Sequence, residues 1–444
     1  MTESRRRLFL GGRVVTDAFD GFEHDHAILA RDGMIEAIGH IETMDAAGSE
    51  EISLDGGYVL PGFCDAHVHI AGSEVRNELE LYVQHGVTQV RDLGSPAELT
   101  RETVESIARD ERIGPRINSY GELVDGPAPR WPEITVVPDS KAKIATHVHR
   151  CRKLGLAGVK FYHKLSAELL ESGLQASRSV GLLSAGHLGH VVSVGQALGM
   201  GIDSIEHICT LTRDLVPEGA VHEKDGYWHY FGPFLAWQEH VDLRSEAVEA
   251  LIERFLRTDT TFVPTLTVYH RLVYGDTPEV ADAPDLALLD PKIVDSWREA
   301  QRGIGLDEQA HDVARIAFEK MMRFIRLYHE AGGRLGVGTD APNPFVVPGA
   351  SLHDEIRLLV ETGIPVDEVL RLACVPFREA SGSSENGRGL VPGAEASFVV
   401  LGHDPLADVA ATRTIRKVVV RGEIVTCDGE LPGGPALACD GFGG

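Results

Sequence analysis

Nowhere along its 444 residues does the sequence hold an apolar run approaching the ~20 residues that a membrane-spanning helix needs. The nearest thing to a leader is Arg5-Arg6-Arg7 followed by Leu8-Phe9-Leu10. Gly11, Gly12, Arg13 and then Asp17 end that run well short of a signal-peptide core, so it reads as an N-terminal strand. Cysteine is scarce. Cys64, Cys151, Cys209, Cys374, Cys427 and Cys439 are thinly spread without a CxxC pair, which argues against a disulfide scaffold and against cysteine-ligated zinc. Reduced thiols in a cytoplasmic protein are the expectation. Basic runs are missing too: no Lys/Arg block exceeds Arg5–Arg7, and the formal net charge is −25. Such a surface repels phosphate backbones and anionic membranes, so neither nucleic acid nor lipid is expected as a partner. A small-molecule substrate stays open, because its pocket can carry its own local charge.

What is present is a globular composition, 43% hydrophobic and 25% charged, with room for one large domain and a smaller one. The first sixty residues read as short strands broken by turns, with Asp32-Gly33 as a hairpin signal. The C-terminal end has the same texture in Ala396-Ser397-Phe398-Val399-Val400-Leu401 and Thr414-Ile415-Arg416-Lys417-Val418-Val419-Val420. The expected organisation is a small β-sandwich domain assembled from 1–61 and 385–444 around a central unit, 62–384. In that unit short apolar runs alternate with helix-length amphipathic segments, the βαβα signature of a parallel sheet. Candidate strands at 62–68, 87–93, 116–123, 158–162, 181–186, 204–208, 262–268 and 335–339 fit an α/β fold of the (β/α)8 TIM-barrel type carrying insertions. No sequence repeat fixes the strand number. Two long insertions follow the sixth and seventh strands: an aromatic stretch at 225–240, read as a lid, and an Asp- and Pro-rich stretch at 274–310.

His67-Val68-His69 is weak by itself, since 20 histidines placed at random give about one H-x-H in a chain of this length. There are three: His24-Asp25-His26, His67-Val68-His69 and His147-Val148-His149. Residues i and i+2 share a face on a strand but diverge on a helix. His147 and His149 sit in a helix-like stretch, 141–154, and His24 and His26 near a terminal turn. Only His67 and His69 end a strand. Other candidates also stand at strand ends: Lys160 in Gly158-Val159-Lys160-Phe161-Tyr162, His187 after Ala185-Gly186, His207 after Ile205-Glu206, and Asp340 after Gly338-Thr339. Each alone has a bland explanation; their joint appearance is hard to produce by chance.

Pro61-Gly62-Phe63-Cys64-Asp65-Ala66-His67-Val68-His69 resembles the opening signature of the amidohydrolase superfamily. Gly86-Val87-Thr88-Gln89-Val90-Arg91-Asp92-Leu93-Gly94, His187 with Ser204-Ile205-Glu206-His207, Phe262-Val263-Pro264-Thr265-Leu266 and Gly338-Thr339-Asp340 resemble later strands of its prolidase-like and imidazolonepropionase-like branch. The resemblance spans nearly the whole chain. The chain departs from it at Cys374-Val375, where relatives usually carry threonine, and at Gly393-Ala394-Glu395-Ala396-Ser397-Phe398. The resemblance implies that His67 and His69 bind a more buried metal and His187 and His207 a more exposed one. Asp340 would be both ligand and proton shuttle, and Lys160 would bridge the ions as an N-carboxylated lysine. An unmodified lysine, a cation with pKa near ~10.4, could not do so. One or two Zn2+ ions suit imidazole and carboxylate ligands best, with Mn2+, Co2+ or Fe2+ as substitutes.

The implied activity is hydrolysis of an amide or cyclic amide C–N bond in an N-acyl amino acid, dipeptide or lactam-like molecule. The alternative uses the same metal site for cyclisation, dehydration, decarboxylation or deamination. Tyr162, His163 and His190 are candidate substrate contacts, and ordinary packing accounts for each equally well. Trp228, Tyr230 and Phe234 favour an apolar or aromatic substrate group under the lid reading. Arg91 reads as structural, ahead of a substrate-carboxylate role. A homo-oligomer is expected.

Overall fold

The computed structural model describes residues 5–70, 77–217, 227–304, 308–374 and 389–427. Strands from both ends of the chain build two sheets. One has four strands in the order Met34–His40, His26–Arg31, Arg6–Leu10, Glu50–Ser53; the other has six in the order Glu423–Cys427, Ile415–Val420, Phe398–Leu401, Tyr58–Pro61, Arg13–Val15, Phe22–Glu23. The C-terminal strand Phe398–Leu401 runs antiparallel to Tyr58–Pro61, with Phe398 opposite Pro61 and Leu401 opposite Tyr58. Phe9, Ile28, Ile52, Val59, Phe398 and Val400 pack into one core between the two sheets. Phe9 and Phe398 meet edge-on with centroids 5.0 Å apart. The hairpin expected at Asp32-Gly33 is present. Both residues have positive φ (49° and 83°), the backbone that a tight two-residue turn needs between right-twisted strands.

Among the described residues, the named strands in the middle of the chain all pair in parallel. One sheet runs Arg116–Ser119, Val87–Asp92, Phe63–Val68; the other runs Thr135–Val136, Leu123–Val124, Gly158–Phe161, Leu183–Gly186, Ser204–Glu206, Thr261–Val263. The segment 335–341 lies between the last strand of one sheet and Phe63–Val68 of the other. Gly336 N donates to Phe262 O (2.9 Å), Ala66 N to Val337 O (2.8 Å) and Asp340 N to His67 O (2.7 Å). A further bond from Ala157 N to Ser119 O (2.8 Å) joins the two sheets on their other side. Amphipathic helices such as Ala167–Ser179 and Glu246–Leu256 bury Leu170 and Leu174, or Leu251 and Phe255, against these strands.

Local chemistry moved several expected boundaries. The third expected strand, 116–123, divides into Arg116–Ser119 and Leu123–Val124, with Gly121 between them at φ +67°. The seventh, expected over 262–268, stops at Val263. Pro264 has no N–H to donate, Thr265 adopts φ +50°, and Leu266–Tyr274 is a helix. The eighth is a bridged, extended segment with few ladder bonds. The insertion 274–310 is helical over Pro278–Ala281 and Pro291–Ile304. The aromatic stretch at 225–240 falls largely in the helix Tyr227–His240, where Phe234 and Trp237 face inward at 1% and 0% exposure. That burial removes Phe234 from a solvent-facing wall, and Trp237 Nε1 donates to Thr212 Oγ1 (3.0 Å). The side chains of Trp228 and Tyr230 lie outside the described residues. His147 and His149 diverge as expected on the helix Lys141–Lys153: the first is buried and the second exposed.

Candidate metal centre

His67, in the strand Phe63–Val68, is fully buried. His69 follows two positions later, and the two rings lie 5.4 Å apart. Asp340, at φ +65°, turns its carboxylate toward both: Oδ1 is 3.0 Å from His69 Nε2 and 3.3 Å from His67 Nε2. His207, also at positive φ (69°), lies with its ring 4.5 Å from that of His67 and 4.3 Å from that of His187. His67, His207 and Asp340 each offer a ligand atom within 4.8 Å of the others, close enough to share one metal ion.

Close backbone approach makes this convergence possible. A Cβ on Gly338 would stand 2.8 Å from His67 N and 2.9 Å from its Cβ, so a side chain there would displace the histidine. A Cβ on Gly94 would stand 2.9 Å from His69 Nδ1. Asp65 ties the two ligand-bearing segments together. Its carboxylate accepts from Thr339 Oγ1 (2.6 Å), Thr339 N (3.0 Å) and His67 N (3.2 Å), and burial pushes its pKa up to about 7.

Each of three histidines has a partner at its Nδ1, although that of His207 also lies 4.0 Å from Asp340 Oδ2. His67 Nδ1 meets Glu206 Oε2 (2.8 Å), His69 Nδ1 meets the carbonyl of Gly94 (3.2 Å), and His207 Nδ1 meets Thr265 Oγ1 (2.9 Å). Such partners fix ring orientation in metal sites. Burial holds His67 and His207 well below the ordinary histidine pKa, reinforced by neighbouring cationic groups that include Lys160. These rings are therefore neutral and able to donate a lone pair. At His69 burial opposes charge, but the Asp340 carboxylate outweighs it and raises the pKa.

Lys160 is 1% exposed in the strand Gly158–Phe161. Its Nζ has no hydrogen-bond partner among the described residues, and its charge acts on His67, His69 and His207 alike. Burial pushes its ammonium down to about 8. The Nε2 of His67 is the second buried polar atom here without a hydrogen bond, since Asp340 Oδ1 is near but misaligned. Buried polar atoms are nearly always satisfied. Two orphans beside a cluster of ligand-type groups fit a site that takes a cation.

Around this cluster Tyr162, His163, His187 and His190 form a chain of ring contacts, with centroids 4.3 Å, 5.0 Å and 5.9 Å apart in the pairs Tyr162–His163, His163–His187 and His163–His190. His190 lies in a bend before the helix that starts at Val194, where Ser193 and Gln196 form a capping box. Arg91 takes the structural role, fully buried and paired with Glu206 (2.8 Å). Sequence reasoning missed Glu206, Thr265 and Trp131. Trp131 is 43% exposed, hydrogen-bonds to the Tyr162 hydroxyl and carries Arg130 over its ring at 5.2 Å. The signal for Glu206 was an acid ending the short strand Ser204–Glu206 directly before His207; Thr265 gave none.

No family model matches the chain. An uncharacterized protein of Mycobacterium tuberculosis is 24% identical over 401 residues, covering 86% of this chain and 89% of that one. Among solved structures, bottromycin amidohydrolase superposes with a TM-score of 0.74 at 22% identity, over 96% of this chain and 88% of that one. A Xaa-Pro dipeptidase with bound methionine in its active site gives 0.67 at 17% identity, over 94% and 99%. The ochratoxinase of A. niger gives 0.69 at 14% identity, over 96% of each chain. The structural neighbours are thus prolidase-like and amidohydrolase-family proteins, and the chain shares their fold.

Proposed function

We propose that the chain is a metal-dependent amidohydrolase that cleaves an amide or cyclic amide C–N bond in a small molecule such as an N-acyl amino acid, dipeptide or lactam. In this reading 62–384 is the catalytic unit, a (β/α)8 barrel, and 1–61 with 385–444 make the composite sheet domain. The observation that carries the proposal is the convergence of His67, His207 and Asp340 beside the unpartnered Nζ of Lys160. Amide-cleaving neighbours of the same fold support it.

His67, His69, His187, His207, Asp340 and N-carboxylated Lys160 would hold one or two divalent cations, Zn2+ first among them. Bound there, such a cation polarises the scissile carbonyl and acidifies water. Lys160 is suited to modification because burial favours its neutral amine, the form that adds carbon dioxide. The neutral amine nitrogen bonds to the carbon, one N–H proton leaves to solvent, and the uncharged amine becomes an anionic carbamate with two oxygens. Asp340 is placed to move the proton: its carboxylate sits between His67 and His69, takes a proton from water and delivers it to the departing nitrogen. Tyr162, His163 and His190 would contact the substrate, and Trp228 and Tyr230 are further candidate contacts.

The test is a panel of dipeptides, N-acyl amino acids and lactams assayed for released amine before and after chelation. Amine release that vanishes with chelator and returns with Zn2+ supports the reading. Turnover indifferent to chelation, or conversion of these compounds without amine release, contradicts it. Asp340→Asn should lower kcat by at least ~10²-fold.

A further inference from the structure

Glu206 is a carboxylate with 0% exposure, set one residue before His207 yet engaged with a different histidine. Its two oxygens have separate partners. Oε1 accepts from Arg91 Nη2 (2.8 Å) and from Ser204 Oγ (2.6 Å), while Oε2 faces His67 Nδ1 at 2.8 Å. Arg91 Nη1 also donates to Ser204 Oγ (2.9 Å), and its Nε donates to the carbonyl of Ala66, the residue before His67. The guanidinium therefore grips both the backbone that carries His67 and the carboxylate that meets its ring.

We propose that Glu206, braced by Arg91 and Ser204, is a positioning residue that holds His67 as the Nδ1–H tautomer and thereby presents its Nε2 lone pair to a metal ion. The inference rests on the metal-centre reading above. A carboxylate can only accept, so the imidazole nitrogen facing it carries the proton and the other nitrogen keeps its lone pair. That other nitrogen is the buried Nε2 left without a hydrogen bond, on the side of Asp340. A purely structural role for Glu206, neutralising Arg91, would need Oε1 alone. Among these three histidines, His67 alone has an anion at hydrogen-bond distance from its Nδ1; His69 and His207 have a carbonyl and a hydroxyl there, with Asp340 Oδ2 4.0 Å from His207 Nδ1. An anionic acceptor makes an imidazole a more basic ligand, so His67 is the anchoring donor of the set.

Glu206→Gln makes a sharp test because it is isosteric. The amide must turn its oxygen to Arg91 and Ser204, which both donate, so its NH2 faces His67 Nδ1. The ring should then switch to the Nε2–H form, which cannot ligate. Two readouts are taken on the full chain. The first is the tautomer of His67 by 15N NMR with labelled histidine, assigned by its loss in His67→Asn; the second is Zn2+ affinity by competition with a chromophoric chelator. The wild type should show Nδ1–H, and Glu206→Gln should show Nε2–H with Zn2+ binding ~10–100-fold weaker. An Nε2–H tautomer in the wild type, or wild-type Zn2+ affinity in a folded Glu206→Gln variant, would overturn the proposal. If Glu206→Gln does not fold, Glu206→Asp keeps the charge but draws it back by one methylene and should weaken Zn2+ binding in the same direction, while the wild-type tautomer decides the question independently. A wild type with the Nδ1–H tautomer that takes up no Zn2+ would sink the proposed function and leave the positioning role of Glu206 standing.

Discussion

Thr265 Oγ1 lies 2.9 Å from His207 Nδ1, and both residues are buried at 0% and 4% exposure. The hydroxyl pairs with the imidazole and fixes its orientation, as Glu206 does for His67. Thr265→Val keeps the shape and the β-branch at φ +50° but deletes the hydroxyl. Zn2+ affinity should fall by ~10-fold or more, and Thr265→Ser should restore it. Chelator competition on the two variants checks this; equal affinities would show that the contact does not orient a ligand.

The turn that carries Thr265 depends on Glu355. Its carboxylate, fully buried in the helix Ala350–Glu361, accepts from Leu266 N (2.9 Å), Thr267 N (2.6 Å) and Thr267 Oγ1 (2.8 Å), and so caps the helix Leu266–Tyr274. Glu355→Ala leaves two buried amides unmet and should cost about 3 kcal/mol or more in urea unfolding. A loss below ~1 kcal/mol would mean that water or local movement satisfies them.

These two contacts mark where the sequence stops being readable. His67, His207 and Asp340 were legible because each ends a short apolar run, and a polar residue at that point of a parallel strand faces the open end of the sheet. Lys160 was legible because a lone lysine among Val159, Phe161 and Gly158 has no solvent to reach. The hairpin at Asp32-Gly33 and the joining of both termini in one sheet follow from local turn chemistry and strand texture. Glu355 and Thr265 were not legible: they are 90 positions apart, and only the packed fold makes one hold the other. The seventh strand was overextended because Val263-Pro264-Thr265-Leu266 reads as β-rich, while the buried carboxylate of Glu355 favours a helix start there.

Stability should fall in mild acid through His270. Burial, reinforced by Arg271, lowers its pKa from 6.5 to about 4, so the folded state keeps it neutral where the unfolded state protonates. Between those values the unfolded chain binds more protons, so this stabilising contribution is complete above pH 6.5 and fades as the pH falls toward 4. The full span corresponds to about 3 kcal/mol. Urea midpoints at pH 7.5 and 5 should differ less in His270→Gln than in the wild type. An unchanged pH slope would rule His270 out as the source.

Lys160 should carry carbon dioxide. In bicarbonate labelled with 13C, the wild type should show a carbamate carbon resonance that is absent from Lys160→Met. That variant should also lose activity by at least ~10²-fold, as expected when a charged group in the reacting centre is removed. A wild type without the resonance, yet fully active, would remove the bridging role.

The central claim is a metal centre at His67, His69, Lys160, His187, His207 and Asp340. Crystals of the chain grown with Zn2+, with diffraction collected on both sides of the zinc absorption edge, test it most directly. One or two anomalous peaks are expected, bounded by the imidazole nitrogens of His67 and His207 and the carboxylate of Asp340, with extra density on Lys160 Nζ. An anomalous map empty at that point, with Lys160 a plain amine, would contradict it.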